Sequence, residues 1–252
     1  MTMTPSAING LRAPRLDHAT AMRLAATEYR RFGDLLRSLE PRDWRKPTNC
    51  PPWDVRDMAT HLLGMAEVAA SLREQRRQMG IARRRGGVFI DAMTGLQVIE
   101  HASMTPAEIV TKYDQTGPKA ARARRRTPGF IRRRGMRPDQ SVNGHMESWT
   151  IGYLVDAIFT RDPWMHRIDI SLATGAPNPM TAEHDGVIVD DLVHEWADRH
   201  GQAFSLRLDG PAGGAWTVGS DGPRYELSVA DFALIISGRT TGEGMLATEV
   251  PF

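Results

Sequence analysis

Residues 161–169 read Arg-Asp-Pro-Trp-Met-His-Arg-Ile-Asp and place a carboxylate and an imidazole four positions apart, at Asp162 and His166. On a helix, residues i and i+4 lie on one face with Cβ atoms about 5–6 Å apart. The two side chains can therefore bind one metal ion together. A third ligand has to come from another segment, and His61, in Thr-His-Leu-Leu-Gly at residues 60–64, is the best candidate. The stretch predicts a metal site if these three residues meet.

The same residues have structural interpretations that need no metal. Asp before Pro commonly starts a helix, with Asp162 as the N-cap and Pro163 at the first helical position. The cap and the ligand are compatible, because a carboxylate has two oxygens. His61 falls on the edge of an apolar stripe, between Met58 and Met65. A lone inward histidine is often a hydrogen-bonded core residue, so only convergence of the three side chains separates these interpretations.

Length and composition are those of an ordinary globular chain. It has 252 residues, of which 41% are hydrophobic and 25% charged. No apolar run approaches the roughly 20 residues that span a bilayer, so we expect no membrane partner. Residues 1–14 lack the apolar segment of a signal peptide and are expected to form a frayed arm. The single cysteine, Cys50, excludes an intrachain disulfide framework and favours a reducing cytoplasm.

Arginine is locally dense at residues 83–85, 122–126 and 132–134, although the formal net charge is only +2. Such runs can bind nucleic acid. Acidic residues balance them along the chain, however, and no aromatic residue within the runs could stack on bases. We therefore expect solvated helix faces and loops, and no nucleic-acid partner.

Apolar periodicity predicts a mainly helical region up to residue 178. Apolar residues recur at three- and four-residue steps, and prolines, caps and glycines mark the helix ends. The predicted helices are residues 16–39, 54–72, 105–126 and about 147–173, the last bent or restarted at Pro163, with a less well-defined helix at 88–101. Residues 75–87 and 127–144 are expected to be connections.

The pattern changes after residues 177–181, which contain two prolines and are typical of a linker. An amphipathic helix at residues 187–196 precedes three alternating runs at 204–208, 215–218 and 225–229, separated by Gly and Asp as in hairpins. A short helix at 230–237 follows. The predicted fold class is α+β, with a helical domain at residues 1–178 and a small α+β domain at 179–252.

Several common catalytic motifs are absent from the sequence, which has no G-x-S-x-G elbow, no Walker loop and no cysteine pair for structural zinc. Residues 242–247 loosely match a dinucleotide loop, but they follow a predicted helix instead of a strand. His194 and Asp198 form a rival pair at i and i+4. They lie mostly on the polar side of their predicted helix, as expected for a solvated face.

Two histidines and one carboxylate suit zinc or another divalent metal, and three protein ligands leave a coordination position open, as in catalytic sites. That position can bind water and lower its pKa toward about 7. It can equally bind a thiol and hold it as thiolate, the nucleophilic form. The residues alone leave both chemistries open.

Two motifs together resemble those of a known family. Residues 50–64, CPPWDVRDMATHLLG, look like the C-P-G-W-x-V-R-D-x-x-x-H-L stretch of mycothiol-dependent maleylpyruvate isomerase-like proteins, which belong to the DinB-like four-helix-bundle group. Residues 164–169, followed by Ala-Thr-Gly at 173–175, look like their second motif. Residues 237–239, Ser-Gly-Arg, and 250–252, Val-Pro-Phe, are similar to their small C-terminal domain. The resemblance spans nearly the whole chain.

The resemblance implies an N-terminal DinB-like four-helix bundle whose divalent metal, with zinc as the first choice, is held by His61, Asp162 and His166. It also implies mycothiol, a thiol of actinobacteria, as a cosubstrate activated as a metal-bound thiolate. Asp162 stands where the isomerases carry Glu, Pro163 adds a bend beside it, and Pro52 replaces a Gly.

The expected function is therefore that of a mycothiol-dependent transferase or isomerase acting on a small electrophilic substrate. Arg239 would reach the bundle and stabilise a carboxylate or a developing oxyanion, or alternatively make an interdomain hydrogen bond. His145 and Glu147 are further acid–base candidates. Two other hypotheses use the same fold: a metal-dependent hydrolase with a bound water, and a binding or regulatory protein without catalysis.

Overall fold

The chain folds as a mainly helical α+β protein; the computed structural model describes residues 7, 8 and 10–252. The helices are α1 (His18–Ser38), α2 (Val55–Ala70), α3 (Leu72–Arg85), α4 (Phe89–Glu100), α5 (Pro106–Arg125), α6 (Gly129–Arg132), α7 (Ile151–Tyr153), α8 (Phe159–Thr174), α9 (Val187–His200) and α10 (Val229–Ile236). The strands are β1 (Ala7–Ile8), β2 (Leu11–Arg12), β3 (Gln140–Val142), β4 (His145–Glu147), β5 (Phe204–Asp209), β6 (Gly214–Val218) and β7 (Arg224–Ser228).

Part of the predicted frayed arm, residues 1–6 and 9, lies outside the described residues. For Arg12 the prediction is wrong. Its backbone N–H donates to the carbonyl of Ser148, and its carbonyl accepts from the N–H of Thr150, both at 2.9 Å. These bonds attach β2 to the segment that leads into α7.

Helices α1, α5, α2 and α8 pack in that order as a closed four-helix ring. Apolar side chains from the ring form its core, among them Phe32, Met58, Tyr113 and Ile170. Helices α1 and α2 show the apolar periodicity from which the sequence predicted them, and α5 begins at its predicted Thr-Pro-x-Glu capping signal. Helix α8 is instead buried along most of its length. The four-helix bundle predicted for the N-terminal region is therefore confirmed.

The prediction of a connection at residues 75–87 is wrong, because these residues are helical as far as Arg85, in α3. Ser71 caps the helix by accepting a hydrogen bond from the N–H of Glu74, and the chain stays helical to Arg85. Arginine is a good helix former, so a basic composition does not oppose a helix. Two of its residues, Gln78 and Ala82, are buried, and α3 packs with α4 against the outside of α2.

Helix α8 also differs from the prediction, because Pro163 neither begins nor ends it. Helix α7 continues through a π-helical turn, Leu154–Ile158, into α8, so Asp162 is not an N-cap. Pro163 has no N–H for the carbonyl of Phe159 four residues earlier. Arg124 of α5 donates to that carbonyl at 2.9 Å instead. A buried guanidinium therefore lets the helix pass through the proline.

Both faces of α8 are covered, and every residue from Phe159 to Ile170 is buried. One face lies in the bundle. The other carries Trp164, Met165 and Ile168 into a second core, shared with α9, the sheet and α10. The two regions therefore share α8, and the domain boundary between residues 178 and 179 stays a prediction.

The C-terminal sheet has the strand order β6-β5-β7. Strands β5 and β6 form the predicted antiparallel hairpin, but β7 pairs parallel to β5, so the second predicted hairpin is wrong. The connection between β6 and β7 passes the start of β5. A Cβ on Gly222 would lie 2.0 Å from the carbonyl oxygen of Ala203, so this crossing requires glycine.

Candidate metal centre

The structure brings His61 of α2 together with Asp162 and His166 of α8. The Nε2 atoms of His61 and His166 lie 3.5 and 3.3 Å from the same atom, Oδ1 of Asp162. One ligand atom from each residue lies within 4.8 Å of the other two. All three residues are buried. The three residues that the sequence selected thus converge as a metal site requires.

Each histidine has an acceptor at its other ring nitrogen. Nδ1 of His61 lies 2.8 Å from Oε1 of Gln97, and Nδ1 of His166 lies 2.9 Å from Oδ2 of Asp169. An acceptor at Nδ1 favours a proton on that nitrogen and leaves the Nε2 lone pair for a metal. Such outer partners are the usual companions of metal-binding histidines.

Oδ2 of Asp162 is buried and, within the described part of the chain, has no hydrogen-bond partner. Leaving a buried acceptor unsatisfied costs about 1–3 kcal/mol. Burial raises the pKa of the Asp162 carboxyl, but His61 and His166 outweigh burial and hold that pKa below its ordinary value. A bound divalent cation would act in the same direction. The chemistry of the donor set and the unpartnered oxygen therefore fit a metal ion.

Arg239, the predicted catalytic residue, reaches α8 from the turn after α10. Its Nε donates to both oxygens of Asp169, at 2.9 and 3.0 Å, and its Nη2 lies 3.5 Å from Nδ1 of His166. A hydrogen bond from the C-terminal region to the bundle, the alternative role considered for Arg239, is therefore present. The same contact places a guanidinium beside the cluster of His61, Asp162 and His166.

Cys50, His166 and Asp169 form a second possible ligand group. Arg239 already pairs with Asp169, however, and its charge opposes a second cation there. Burial raises the pKa of the Cys50 thiol to about 11, which also disfavours the thiolate that a metal needs. Cys50 is half-buried at the edge of the site.

A third possible group, Glu28, His184 and Asp185, is already neutralised. Arg167 donates from Nη2 to Glu28 at 2.7 Å and to Asp185 at 2.9 Å, and Arg31 pairs with the other oxygen of Asp185. In contrast, no lysine or arginine of the described chain pairs with Asp162. The cluster of His61, Asp162 and His166 is therefore the best candidate metal site of the three.

Sequence reasoning missed three neighbours of this cluster. Asp169 and Trp53 lay within the quoted motifs, whereas Gln97 gave no signal beyond being polar in an apolar segment. The indole of Trp53 lies 5.1 Å from the imidazole of His61 and 6.4 Å from that of His166, measured between ring centroids. It covers the cluster from the loop before α2.

The remaining candidates from the sequence lie outside this cluster. Glu147 pairs with Arg199, and His145 is exposed on β4. Nδ1 of His194 bonds the backbone carbonyl of Asp190, one turn earlier on α9. None of these residues belongs to a group of ligands found among the described residues.

The fold and the site define an α+β protein with a four-helix bundle that holds two histidines and one carboxylate as a candidate metal centre. Residues 25–171 match the family model described as mycothiol maleylpyruvate isomerase N-terminal domain. This match covers more than half of the chain, and the chain belongs to that family.

Solved structures give the same fold. The crystal structure of the mycothiol-dependent maleylpyruvate isomerase is similar with a TM-score of 0.57 and 15% sequence identity, covering 90% of this chain and 91% of that one. A histidine-to-alanine mutant of that isomerase gives a TM-score of 0.57 at 14% identity. A comparison with curated proteins found no match. Among the described helices, none has the length and apolar character needed to cross a membrane.

Proposed function

We propose that this protein is a metal-dependent enzyme that activates mycothiol, a low-molecular-weight thiol, for transfer to a small electrophilic substrate or for its isomerisation. The observation that carries the proposal is the convergence of two Nε2 atoms on a buried aspartate that has one unpartnered oxygen. Family membership and the structural likeness to a mycothiol-dependent isomerase support the choice of thiol chemistry.

His61, Asp162 and His166 would hold the metal, with zinc as the first choice because two imidazoles and a carboxylate suit it. When bound, such an ion lowers the pKa of a thiol ligand and keeps it as thiolate. The protein's own part is to fix the ligands. Gln97 and Asp169 accept at the two Nδ1 atoms, and burial keeps competing water away.

Arg239 would bind the negative charge of the substrate or of the transition state. A guanidinium has five N–H donors, and only its Nε makes a close bond to Asp169. The remaining donors can bind a carboxylate or an oxyanion beside the metal. Asp169 thus orients Arg239 and His166 together, and the three groups act as one unit.

Metal analysis tests the centre directly. We expect about one zinc ion per chain in the wild type, and loss of that zinc in His166→Ala and in Asp162→Asn, because each removes one of three ligands. His194→Ala is the matched control, since it removes a histidine that bonds a backbone carbonyl on α9. A wild type without stoichiometric metal, or a His166→Ala variant that keeps it, would refute the metal centre.

A conjugation assay with mycothiol and a generic electrophile tests the thiol chemistry. Arg239→Gln should lower kcat/KM by about 100-fold or more, as for the loss of a donor to a developing oxyanion. Arg207→Gln, an exposed arginine on β5 that pairs with Asp209, should leave the rate unchanged. If the loaded protein hydrolyses activated esters but never consumes mycothiol, the hydrolase hypothesis replaces this one.

A further inference from the structure

Buried side-chain amides connect His61 to α4 and α3, two helices that lie outside the bundle. Oε1 of Gln97 on α4 lies 2.8 Å from Nδ1 of His61, and Nε2 of Gln97 donates to Oε1 of Gln78 on α3 at 2.9 Å. Nε2 of Gln78 then donates to Oε1 of Glu74 at 2.9 Å. Both glutamines are 0% exposed, whereas Glu74 lies at the protein surface.

The bundle makes room for this connection at Gly64, one turn after His61 on α2. A Cβ at position 64 would lie 2.4 Å from Cγ of Gln97 and 2.7 Å from its Cβ. Any larger residue would push the Gln97 side chain away from His61. The glycine that ends the Thr-His-Leu-Leu-Gly sequence thus has a role in placing Gln97.

The direction of the hydrogen bonds follows from the carboxylate at the outer end. An ionised carboxylate only accepts, so Gln78 must present its NH2 group to Glu74. Its oxygen then faces Gln97, which must present its own NH2 group to Gln78 and its oxygen to His61. Hydrogen bonds from Arg77 hold the pKa of Glu74 below its ordinary value, which keeps it ionised.

We propose that Glu74, Gln78 and Gln97 form a directional hydrogen-bond relay that fixes a proton on Nδ1 of His61 and so presents its Nε2 lone pair to the metal. The three are positioning residues, since they act through His61. The relay gives α3 and α4 a part in the site, although both lie outside the four-helix ring. Its consequence for metal binding rests on the proposed function.

Glu74→Gln tests the direction of the relay, and Glu100→Gln is its matched control. Both glutamates pair with Arg77 at 2.5 Å, but only Glu74 also accepts from Gln78. A glutamine at position 74 can donate as well as accept, so the amides can reverse. We expect Glu74→Gln to raise the zinc dissociation constant about 10-fold, the lower end for outer partners of a ligand, and Glu100→Gln to leave it within about twofold.

Gln97→Met removes the acceptor itself and should weaken zinc binding by about 10- to 100-fold. Because this variant alters the interior, its folding is checked by thermal unfolding. Thr60→Val is its control, because Thr60 is buried next to His61 and its hydroxyl donates to the backbone carbonyls of Arg56 and Asp57. Equal zinc affinity in folded Gln97→Met and Thr60→Val would overturn the proposal.

Nitrogen-15 NMR of the zinc-free protein gives a readout that needs no metal. At a pH where the imidazole of His61 is neutral, the relay requires its Nδ1 to carry a proton. The Nδ1 signal should shift toward that of a bare nitrogen in Glu74→Gln and not in Glu100→Gln. A bare Nδ1 in the wild type refutes the relay. A wild type that binds no zinc but has a protonated Nδ1 refutes the proposed function and leaves the relay supported.

Discussion

Replacing Arg124 with methionine should destabilise the protein strongly, because this buried guanidinium completes the backbone hydrogen bonding of α8. Its Nη1 donates to the carbonyl of Phe159 at 2.9 Å, and its Nε and Nη2 donate to the carbonyl of Val155 at 2.9 and 2.6 Å. Nη2 also donates to Oγ1 of Thr160. Methionine is of similar length, so the change removes the donors and leaves little cavity.

The magnitude follows from the two backbone carbonyls that lose their donor. An unsatisfied buried acceptor costs about 1–3 kcal/mol, so the loss in free energy of unfolding should be about 2–6 kcal/mol. Urea denaturation, analysed by linear extrapolation, measures it. Arg122 is an exposed arginine two residues earlier in the basic run of α5, and Arg122→Met should change stability by less than about 0.5 kcal/mol.

A second substitution identifies the cause. Pro163→Ala restores an N–H that can donate to the carbonyl of Phe159. It should therefore recover more stability in the Arg124→Met background than in the wild type, as a double-mutant cycle would show. If Arg124→Met costs less than about 1 kcal/mol, or if the two substitutions are additive, the account of how α8 tolerates its proline is wrong.

The remaining predictions concern acid stability and the space beside His61. Burial raises the pKa of Glu195, but Arg161 and Arg199 outweigh it and lower the value from 4.5 to about 2. The pKa of Glu195 is lower in the folded than in the unfolded state, so its ionisation stabilises the fold by about 3 kcal/mol above pH 4.5. This stabilisation is lost as the pH falls toward 2. Glu195→Gln should therefore flatten that part of the curve of stability against pH. Gly64→Ala should displace Gln97 and both destabilise the fold and weaken zinc binding, measured by urea denaturation and chelator competition. If Glu195→Gln loses stability below pH 4.5 as steeply as the wild type, the first prediction is wrong. If folded Gly64→Ala binds zinc with wild-type affinity, the second is wrong.

The prediction that the arginine-rich runs are solvated holds for most of the arginines named here but is wrong for Arg124. We predicted solvated faces for the basic runs, and Arg83 to Arg85 and Arg122 are indeed exposed. Arg124, in the middle of one run, is 2% exposed and bonds three acceptors on the π-helical turn and α8. Composition cannot reveal this, because the acceptors exist only where a π-helical turn and a proline leave carbonyls free.

The sequence alone determined the helices of the bundle, the α+β class and the choice of His61, Asp162 and His166, because helical periodicity and i, i+4 spacing are local properties. Tertiary structure decided what lies around them. Gln97 meets His61 from a helix outside the bundle, Arg239 meets Asp169 across 70 residues, and β7 joins β5 in parallel. These contacts join segments far apart in the chain, and only packing fixes which side chains face each other.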